Sequence, residues 1–133
     1  MSDREAILFA NEAFYQAFAD RDMDAMEALW AARDDLTCTH PGWPPLIGRR
    51  QVLQSWLSIL ANPESPAVSC HGASAHQAGD VAYVLCYERI DGNVLAATNV
   101  FVRDGKRWRL MHHQAGPTSG APEEDETPAR SVN

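Results

Sequence analysis

The stretch from Gly79 to Gly116 constrains the fold of this chain more than any other part of it. Asp-Gly pairs at positions 91–92 and 104–105 separate three runs rich in β-branched and aromatic residues, VAYVLCYERI, NVLAATNVFVR and RWRLMHHQA. Asp-Gly accepts the positive φ that short hairpin turns require. The stretch therefore predicts three consecutive antiparallel strands. Because the runs are apolar nearly throughout, we expect a sheet that is covered on both faces.

The residues before this meander predict helices that cover one face of the sheet. Apolar residues that recur every three or four positions predict three helices, over residues 3–20, 23–31 and 49–61. Ser2 is placed as the N-cap of the first helix, with Glu5 completing a capping box, and Asp22 is placed as the cap of the second helix. These residues are therefore predicted to pack as a helical layer on the sheet.

Two further strands are predicted, over residues 36–40 and 68–77. The segment between the first of these strands and the third helix, PGWPPLIG, contains three prolines and two glycines and predicts an irregular loop. The resulting order is three helices with one strand between the second and third, followed by three or four long antiparallel strands. This order predicts an α+β fold with the three N-terminal helices in the concave face of a curved antiparallel sheet.

Length and composition limit the classes of protein that this chain can belong to. We expect one domain over residues 1–117, followed by an irregular tail over 118–133 that lacks an apolar run to bury. The net charge of −7 and the absence of a basic stripe argue against nucleic-acid binding. No run approaches the roughly 20 apolar residues of a membrane span, and the acidic start is unlike a secretory signal. A cytoplasmic protein is therefore predicted, and its three cysteines, an odd number, are expected to be reduced, buried thiols.

Several spaced motifs resemble those of one known family. They are D-x-D-A-M-x-A-L-W, a short strand ending in x-P-G, a helix beginning G-R-x-x-V, and a meander closing on W-x-x-x-H-H-x-A. In this order they resemble the SnoaL-like branch of the nuclear transport factor 2-like superfamily, over residues 3–117. The resemblance implies a cystatin-like α+β cone with an apolar pocket open at one end. It also implies a homodimer formed through the outer face of the sheet.

Ketosteroid isomerase, a member of this superfamily, offers a comparison of site positions. Its general-base aspartate precedes a proline after the second helix, where this chain has His40. Its oxyanion-hole aspartate is matched by Asn99, and its supporting tyrosine on the third helix by Trp56. Its oxyanion-hole tyrosine is matched by Phe14, with Tyr15 one step round the helix. The resemblance thus implies that the phenol is missing, which does not favour the same steroid isomerisation.

Asn99 is a polar residue in the middle of an apolar strand, so it is expected to bond within the protein or to face a ligand. Hairpin pairing about the first Asp-Gly turn places Asn99 opposite Val84. The other face of that strand would then carry Tyr83, Leu85 and Tyr87. If Asn99 faces the pocket, this apolar face is outside and needs a partner chain. The pattern therefore predicts a homodimer independently of the family.

His112 and His113 face opposite sides of the last strand because strand neighbours alternate. The length of the second Asp-Gly turn decides which of them faces inward. We expect the longer turn, which pairs Asn99 with Met111 and places His113 inside. The outer face would then carry His112, Trp108 and Leu110.

Two functions are compatible with these features. The first is a small-molecule lyase or isomerase without a cofactor, in which His40 is the general acid/base and Asn99 and His113 polarise or orient the substrate. An imidazole suits this role because its ordinary pKa is about 6.5. The second is a non-catalytic homodimer that binds a small apolar or weakly acidic molecule in its pocket, or merely assembles, with His40 bonded only to the backbone of its loop.

The predicted pocket walls, dimer surface and metal content complete these expectations. The ligand pocket is expected to be lined by Phe14, Phe18, Trp43, Trp56, Val84 and Met111. The dimer interface is expected to contain Tyr83, Leu85, Tyr87 and Trp108. A metal site built from His40, His71, His76 and a histidine of the meander lacks the close ligand spacing of known motifs. We therefore expect no metal and no cofactor.

Overall fold

The computed structural model describes residues 1–123, which form three helices and a six-stranded sheet. The helices are α1 (Asp3–Asp20), α2 (Met23–Leu29) and α3 (Arg49–Ala61). The strands are β1 (Thr37–Thr39), β2 (Leu46–Ile47), β3 (Val68–Ala78), β4 (Val81–Ile90), β5 (Asn93–Asp104) and β6 (Arg107–Pro117). The helices pack on one face of the sheet, so the predicted α+β fold is confirmed.

Side-chain caps form at the starts of α1 and α2, as the sequence predicts. The Ser2 hydroxyl accepts a hydrogen bond from the backbone N–H of Glu5 at 3.1 Å, and the Glu5 carboxylate accepts one from the N–H of Ser2 at 3.1 Å. The carboxylate of Asp22 caps α2 in the same manner. α2 ends earlier than predicted because the backbone of Trp30 is extended and forms a bridge to Leu110 of β6.

The strands follow the order β2-β1-β6-β5-β4-β3. All neighbours are antiparallel except β1 and β6, which pair in parallel with Cys38 opposite His113. The prediction of an irregular loop was wrong for Leu46 and Ile47, which pair with β1 as a two-residue strand. This short pairing brings the start of α3 back to the sheet.

The register between β4 and β5 is the predicted one. Asn99 lies opposite Val84, and both side chains are fully buried beneath the helices. The other face of β4 is open to solvent in this chain, with Val81, Tyr83 and Leu85 each about 40% exposed. The sheet is therefore covered on one face by helices and uncovered on the other.

The register between β5 and β6 is not the predicted one, although the predicted histidine faces inward. The turn is the shorter one, because Asp104 pairs with Arg107. A β-bulge at Met111 then shifts the ladder by one residue, so that Asn99 pairs with His113 rather than with His112. The predicted partner, Met111, is the bulged residue itself. His113 therefore faces inward as predicted, through a bulge and not through a longer turn.

The same bulge corrects the prediction that Trp108 and Leu110 face outward. Both lie on the helix side of the sheet, at 4% and 0% exposure, because the inner face of β6 changes by one residue at the bulge. The guanidinium carbon of Arg103 lies 4.5 Å from the centroid of a Trp108 ring. Trp108 is therefore a core residue and not part of an outer surface.

The first residues of the tail pack against the sheet. Residues 118–123 contain no α-helix or strand, and Pro122 is buried although this segment has no apolar run. A side chain at Gly120 would place its Cβ 2.7 Å from the Tyr87 hydroxyl, so the tail passes close over that ring. The rest of the predicted tail, residues 124–133, lies outside the described residues.

Candidate functional site

A cavity of about 410 Å³ opens between α3, the loop after β1 and the concave face of the sheet. Its apolar lining is Phe18, Pro41, Trp43, Ile59, Pro66, Val68 and Ile90. Its polar lining is His40, Ser58, Asn62, Ser65, Glu88 and His113. No lysine or arginine is among the described residues that line it. An apolar cavity with a few inward polar groups is the usual geometry of a small-molecule site.

A larger groove of about 660 Å³ lies on the surface between α1, α2 and the β5–β6 turn. Most of its lining is alanine and other apolar side chains. Of its charged residues, Asp20, Lys106 and Arg107 are exposed and Arg109 is half-buried. Neither a histidine nor a buried carboxyl is among its described lining residues. We therefore place the candidate site in the smaller cavity, where buried titratable groups converge.

His113 has a defined tautomer because Asn99 holds one of its ring nitrogens. The side-chain amide of Asn99 donates to Asn11 Oδ1 at 2.8 Å and to Tyr15 Oη at 3.1 Å. Its Oδ1 atom therefore faces His113 Nδ1, at 2.5 Å, and accepts a hydrogen bond from it. The proton of neutral His113 is thus on Nδ1, and Nε2 keeps a free lone pair.

The tautomer of His40 is also fixed by a hydrogen bond, in this case through Nε2. The hydroxyl of Ser55 donates to the carbonyl of Val52 at 2.7 Å, so its oxygen accepts the hydrogen bond from His40 Nε2 at 2.9 Å. The Nδ1 atom of His40 therefore keeps its lone pair. Because β1 runs parallel to β6, His40 follows β1 close to His113, with 6.2 Å between the ring centroids.

Both histidines are uncharged at neutral pH. Burial lowers the pKa of His40 to about 4 and that of His113 to about 3, because an imidazolium loses its hydration there. The neighbouring histidines lower the pKa of His113 further. The cavity thus contains two neutral imidazoles, and in each of them one ring nitrogen donates to a fixed oxygen while the other keeps its lone pair. The second nitrogen of His40 lies 3.9 Å from Cys38 Sγ.

Glu88 is a site residue that the sequence analysis missed. Its carboxyl is 2% exposed, accepts a hydrogen bond from Tyr15 Oη at 2.6 Å and lies 3.8 Å from His113 Nε2. Burial raises the pKa of Glu88 to about 7, although the Tyr15 hydrogen bond acts in the opposite direction. The sequence did contain a signal for its burial. Side chains alternate along a strand, so Glu88 lies on the same inner face of β4 as Val84 and Cys86.

Tyr15 places a phenol beside the buried polar groups of the site, although it does not line the cavity. Phe14 and Tyr15 are adjacent on α1, yet both are buried, at 0% and 5% exposure. This is possible because the concave sheet covers a wide sector of α1. The Tyr15 hydroxyl reaches Glu88 and Asn99 inside the protein.

Only some of the predicted site residues line the cavity. His40, His113, Phe18 and Trp43 do. Asn99 does not, and because its amide is bonded to protein groups it orients His113 instead of a substrate carbonyl. Four residues that were predicted as pocket walls do not line the cavity and instead lie in the core or pack against it. They are Phe14, Trp56, Val84 and Met111.

The cysteines, possible metal ligands and helix lengths can also be described for this part of the chain. Cys38, Cys70 and Cys86 are free thiols, and Cys38 and Cys86 are buried as predicted, whereas Cys70 is half-buried. Within residues 1–123, no three histidine, cysteine, aspartate or glutamate side chains are grouped as possible metal ligands. No helix in that part of the chain has the length and apolar character needed to cross a membrane.

The fold and motifs agree with a known family model. Residues 7–118 match the model described as SnoaL-like domain. The chain belongs to the SnoaL-like domain family. Members of this kind have a fold that fits a ligand-binding or isomerase-type function.

This SnoaL-like domain is similar to curated and solved proteins. The F-box protein SKIP8 of Arabidopsis thaliana is 30% identical over 112 residues, 83% of this chain and 48% of that protein. The chain thus spans about half the length of this curated relative. A putative dehydratase of the NTF2-like family from Streptomyces avermitilis is 34% identical, with a TM-score of 0.80, covering 89% of this chain and 97% of the other. A putative calcium/calmodulin-dependent protein kinase type II association domain from Thiobacillus denitrificans is 31% identical, with a TM-score of 0.75 and coverages of 83% and 93%.

Proposed function

We propose that this protein binds a small, uncharged and mostly apolar molecule in the cavity and acts on it as a cofactor-free lyase or isomerase. The observation that carries this proposal is the neutral, buried His113, whose Nδ1 is fixed by Asn99 and whose free Nε2 belongs to the cavity side of the sheet. A base held by an orienting partner is the usual arrangement for proton transfer.

The lining of the cavity supports an uncharged ligand. Its walls include Phe18, Trp43 and Ile59, and its described lining contains no cation that could neutralise a carboxylate or phosphate. Burying such an anion unpaired would cost several kcal/mol. A hydroxyl or carbonyl group on an apolar frame avoids this cost and can bond to the histidines.

The similar proteins support the same reading in part. The protein from Streptomyces avermitilis is described as a putative dehydratase, and it is the more similar of the two structures described above. The association domain suggests a second candidate, a module that assembles or binds without chemistry. A buried set of groups that can exchange protons favours the first candidate, because assembly alone does not require them.

A thermal-shift screen tests the binding proposal. We expect neutral hydroxy ketones and terpenoid alcohols to raise the melting temperature, and matched compounds that carry a carboxylate to leave it unchanged. A ligand at a hundred times its dissociation constant stabilises the folded protein by about 2.7 kcal/mol. Trp43→Ala, at the cavity wall, should weaken the shift. A screen in which no neutral compound changes the melting temperature would contradict the proposal.

We further propose that the protein is a homodimer joined through the open face of β4. Val81, Tyr83 and Leu85 expose apolar surface there, whereas Tyr87 is half-buried beneath the tail and lies at the edge of this patch. Exposed apolar patches on a sheet commonly mark an interface. Trp108 takes no part, because it is buried in the core.

Replacing Leu85 by arginine is expected to convert the dimer to a monomer, because the charge would be desolvated in the interface. Sedimentation velocity at micromolar concentration measures this. Leu57→Arg is the matched control, because Leu57 is 53% exposed on α3, away from this face. A monomeric wild-type protein, or equal effects of the two variants, would contradict the proposed interface.

A further inference from the structure

We propose that Glu88 is the proton donor of this site and acts together with His113 on a neutral β-hydroxy carbonyl compound, which loses water. Glu88 would protonate the departing hydroxyl while His113 removes the proton from the carbon next to the carbonyl. This inference rests on the proposed function and names its substrate class. Its first support is the placement of both groups on one cavity, 3.8 Å apart.

The surroundings of Glu88 favour a carboxylic acid over a carboxylate. Its side chain is 2% exposed, and the described lining of the cavity contains no lysine or arginine. The titratable groups around it come from α1, β1, β3, β4 and β6, and they are Tyr15, Cys38, His40, Cys70, Cys86 and His113. None of these groups is a cation at neutral pH, so a carboxylate there would be unpaired. In agreement, the pKa of Glu88 is raised to about 7.

The hydrogen bonds also place the acidic proton. Tyr15 accepts a hydrogen bond from the Asn99 amide, and its own hydroxyl donates to Glu88 Oε2 at 2.6 Å. Because Oε2 is occupied as an acceptor, the acid carries its proton on Oε1. Oε1 makes no hydrogen bond within the described residues, so this proton can reach a substrate oxygen.

The proposed step balances without a cofactor. His113 Nε2 takes the proton from the carbon next to the carbonyl, and the electron pair of that C–H bond forms the C=C bond. The C–O bond to the hydroxyl breaks, and the hydroxyl leaves as water with the proton from Glu88. His113 is then an imidazolium beside the Glu88 carboxylate, and transfer of the proton between them restores the starting state.

The pairing also explains how a weakly basic histidine can act. Burial, helped by the neighbouring histidines, lowers the pKa of His113 to about 3, because an isolated imidazolium is not solvated there. A carboxylate that forms 3.8 Å away at the same time stabilises the imidazolium through the low-dielectric interior. The two proton transfers are therefore favourable together and unfavourable separately.

The test uses the aldol of acetone and benzaldehyde, whose dehydration gives a conjugated enone that absorbs in the ultraviolet. We expect Glu88→Gln to lower kcat by about 10²-fold or more and to change KM little, because the amide keeps the shape and the Tyr15 hydrogen bond but cannot donate the proton. Glu12→Gln, on the exposed side of α1, is the matched control and should leave both constants unchanged.

A second readout needs no substrate. The carbonyl band of a protonated carboxyl, found by infrared difference between wild type and Glu88→Gln, should be present at pH 5 and lost as the pH rises through about 7. The pKa of Glu88 is higher in the folded protein than in the unfolded chain. The contribution of Glu88 to the free energy of unfolding is therefore fully present below about pH 4.5 and is lost as the pH rises to about 7. Wild type should therefore lose more stability than Glu88→Gln between pH 5 and 8. Tyr15→Phe, which keeps the carboxyl, should move the loss of the band to higher pH.

The outcomes separate this inference from the proposed function. Wild-type turnover that Glu88→Gln retains would overturn the inference and leave the proposed function in place. A Glu88 that is already ionised at pH 5 would overturn the inference whatever the activity. Failure of the wild-type protein to bind or turn over any neutral compound would overturn the proposed function itself.

Discussion

Replacing His113 by glutamine is expected to lower turnover by about 10²- to 10⁴-fold, which is the usual rate enhancement from general acid–base catalysis. In the wild-type protein the Nδ1–H of His113 donates to Asn99 Oδ1, and the glutamine amide can make the same hydrogen bond. It has no nitrogen that can accept a proton. We therefore expect kcat to fall while the melting temperature and circular dichroism stay close to those of wild type.

His112 offers a matched control one residue away. Its side chain points to the other face of β6 and bonds to Thr37 Oγ1 at 2.7 Å. His112→Gln should therefore keep wild-type turnover. His40→Gln should have an intermediate effect, because His40 lines the cavity but lacks a carboxyl partner. Full loss in His40→Gln with no loss in His113→Gln would return the base to His40, the residue that the sequence analysis favoured.

Replacing Trp56 by alanine is expected to lower the free energy of unfolding by about 3–5 kcal/mol. The Trp56 ring is fully buried and packs edge-on against Phe14, Phe18 and His40, with centroids 5.4, 5.0 and 4.8 Å away. Its indole N–H has no hydrogen-bond partner among the described residues, so the loss is one of packing. Urea unfolding monitored by circular dichroism measures it.

The adjacent Leu57 provides the control for this prediction. Leu57 is 53% exposed on the same helix, so Leu57→Ala should change stability by about 0.5 kcal/mol or less. A loss of about 3–5 kcal/mol can approach the whole stability of a small domain, so Trp56→Ala could fail to fold. Trp56→Phe removes fewer atoms from the same position and should lower the free energy of unfolding by a smaller amount. Equal losses in the Trp56 and Leu57 variants would show that the core lies elsewhere.

Local sequence patterns predicted most of the secondary structure because they act over a few residues. The bounds of α1 followed from its apolar repeat and from the capping box at Ser2. The hairpin between β4 and β5 followed from Asp91-Gly92, where both residues have positive φ. The side of β4 that faces the helices followed from alternation once Asn99 was placed inside.

The candidate site was only partly predictable, because its members meet through long-range pairing. His40 and His113 were both selected as candidates, but their proximity depends on the parallel pairing of β1 with β6, which no short pattern signals. Asn99 was recognised as a buried amide, although its partners on α1 decide that it orients a histidine. Glu88 was missed because a single charged residue in a strand usually indicates solvent.

By itself, the sequence determined the positions of the three helices, the β4–β5 hairpin with its register, the α+β class and the burial of Asn99, because each depends on spacing, capping or turn chemistry within one segment. Tertiary structure alone decided the β-bulge at Met111, and with it the inward positions of both Trp108 and His113. It also decided the charge states of Glu88 and His113. Those depend on how completely the packed helices and sheet exclude water, and a linear pattern does not encode that quantity.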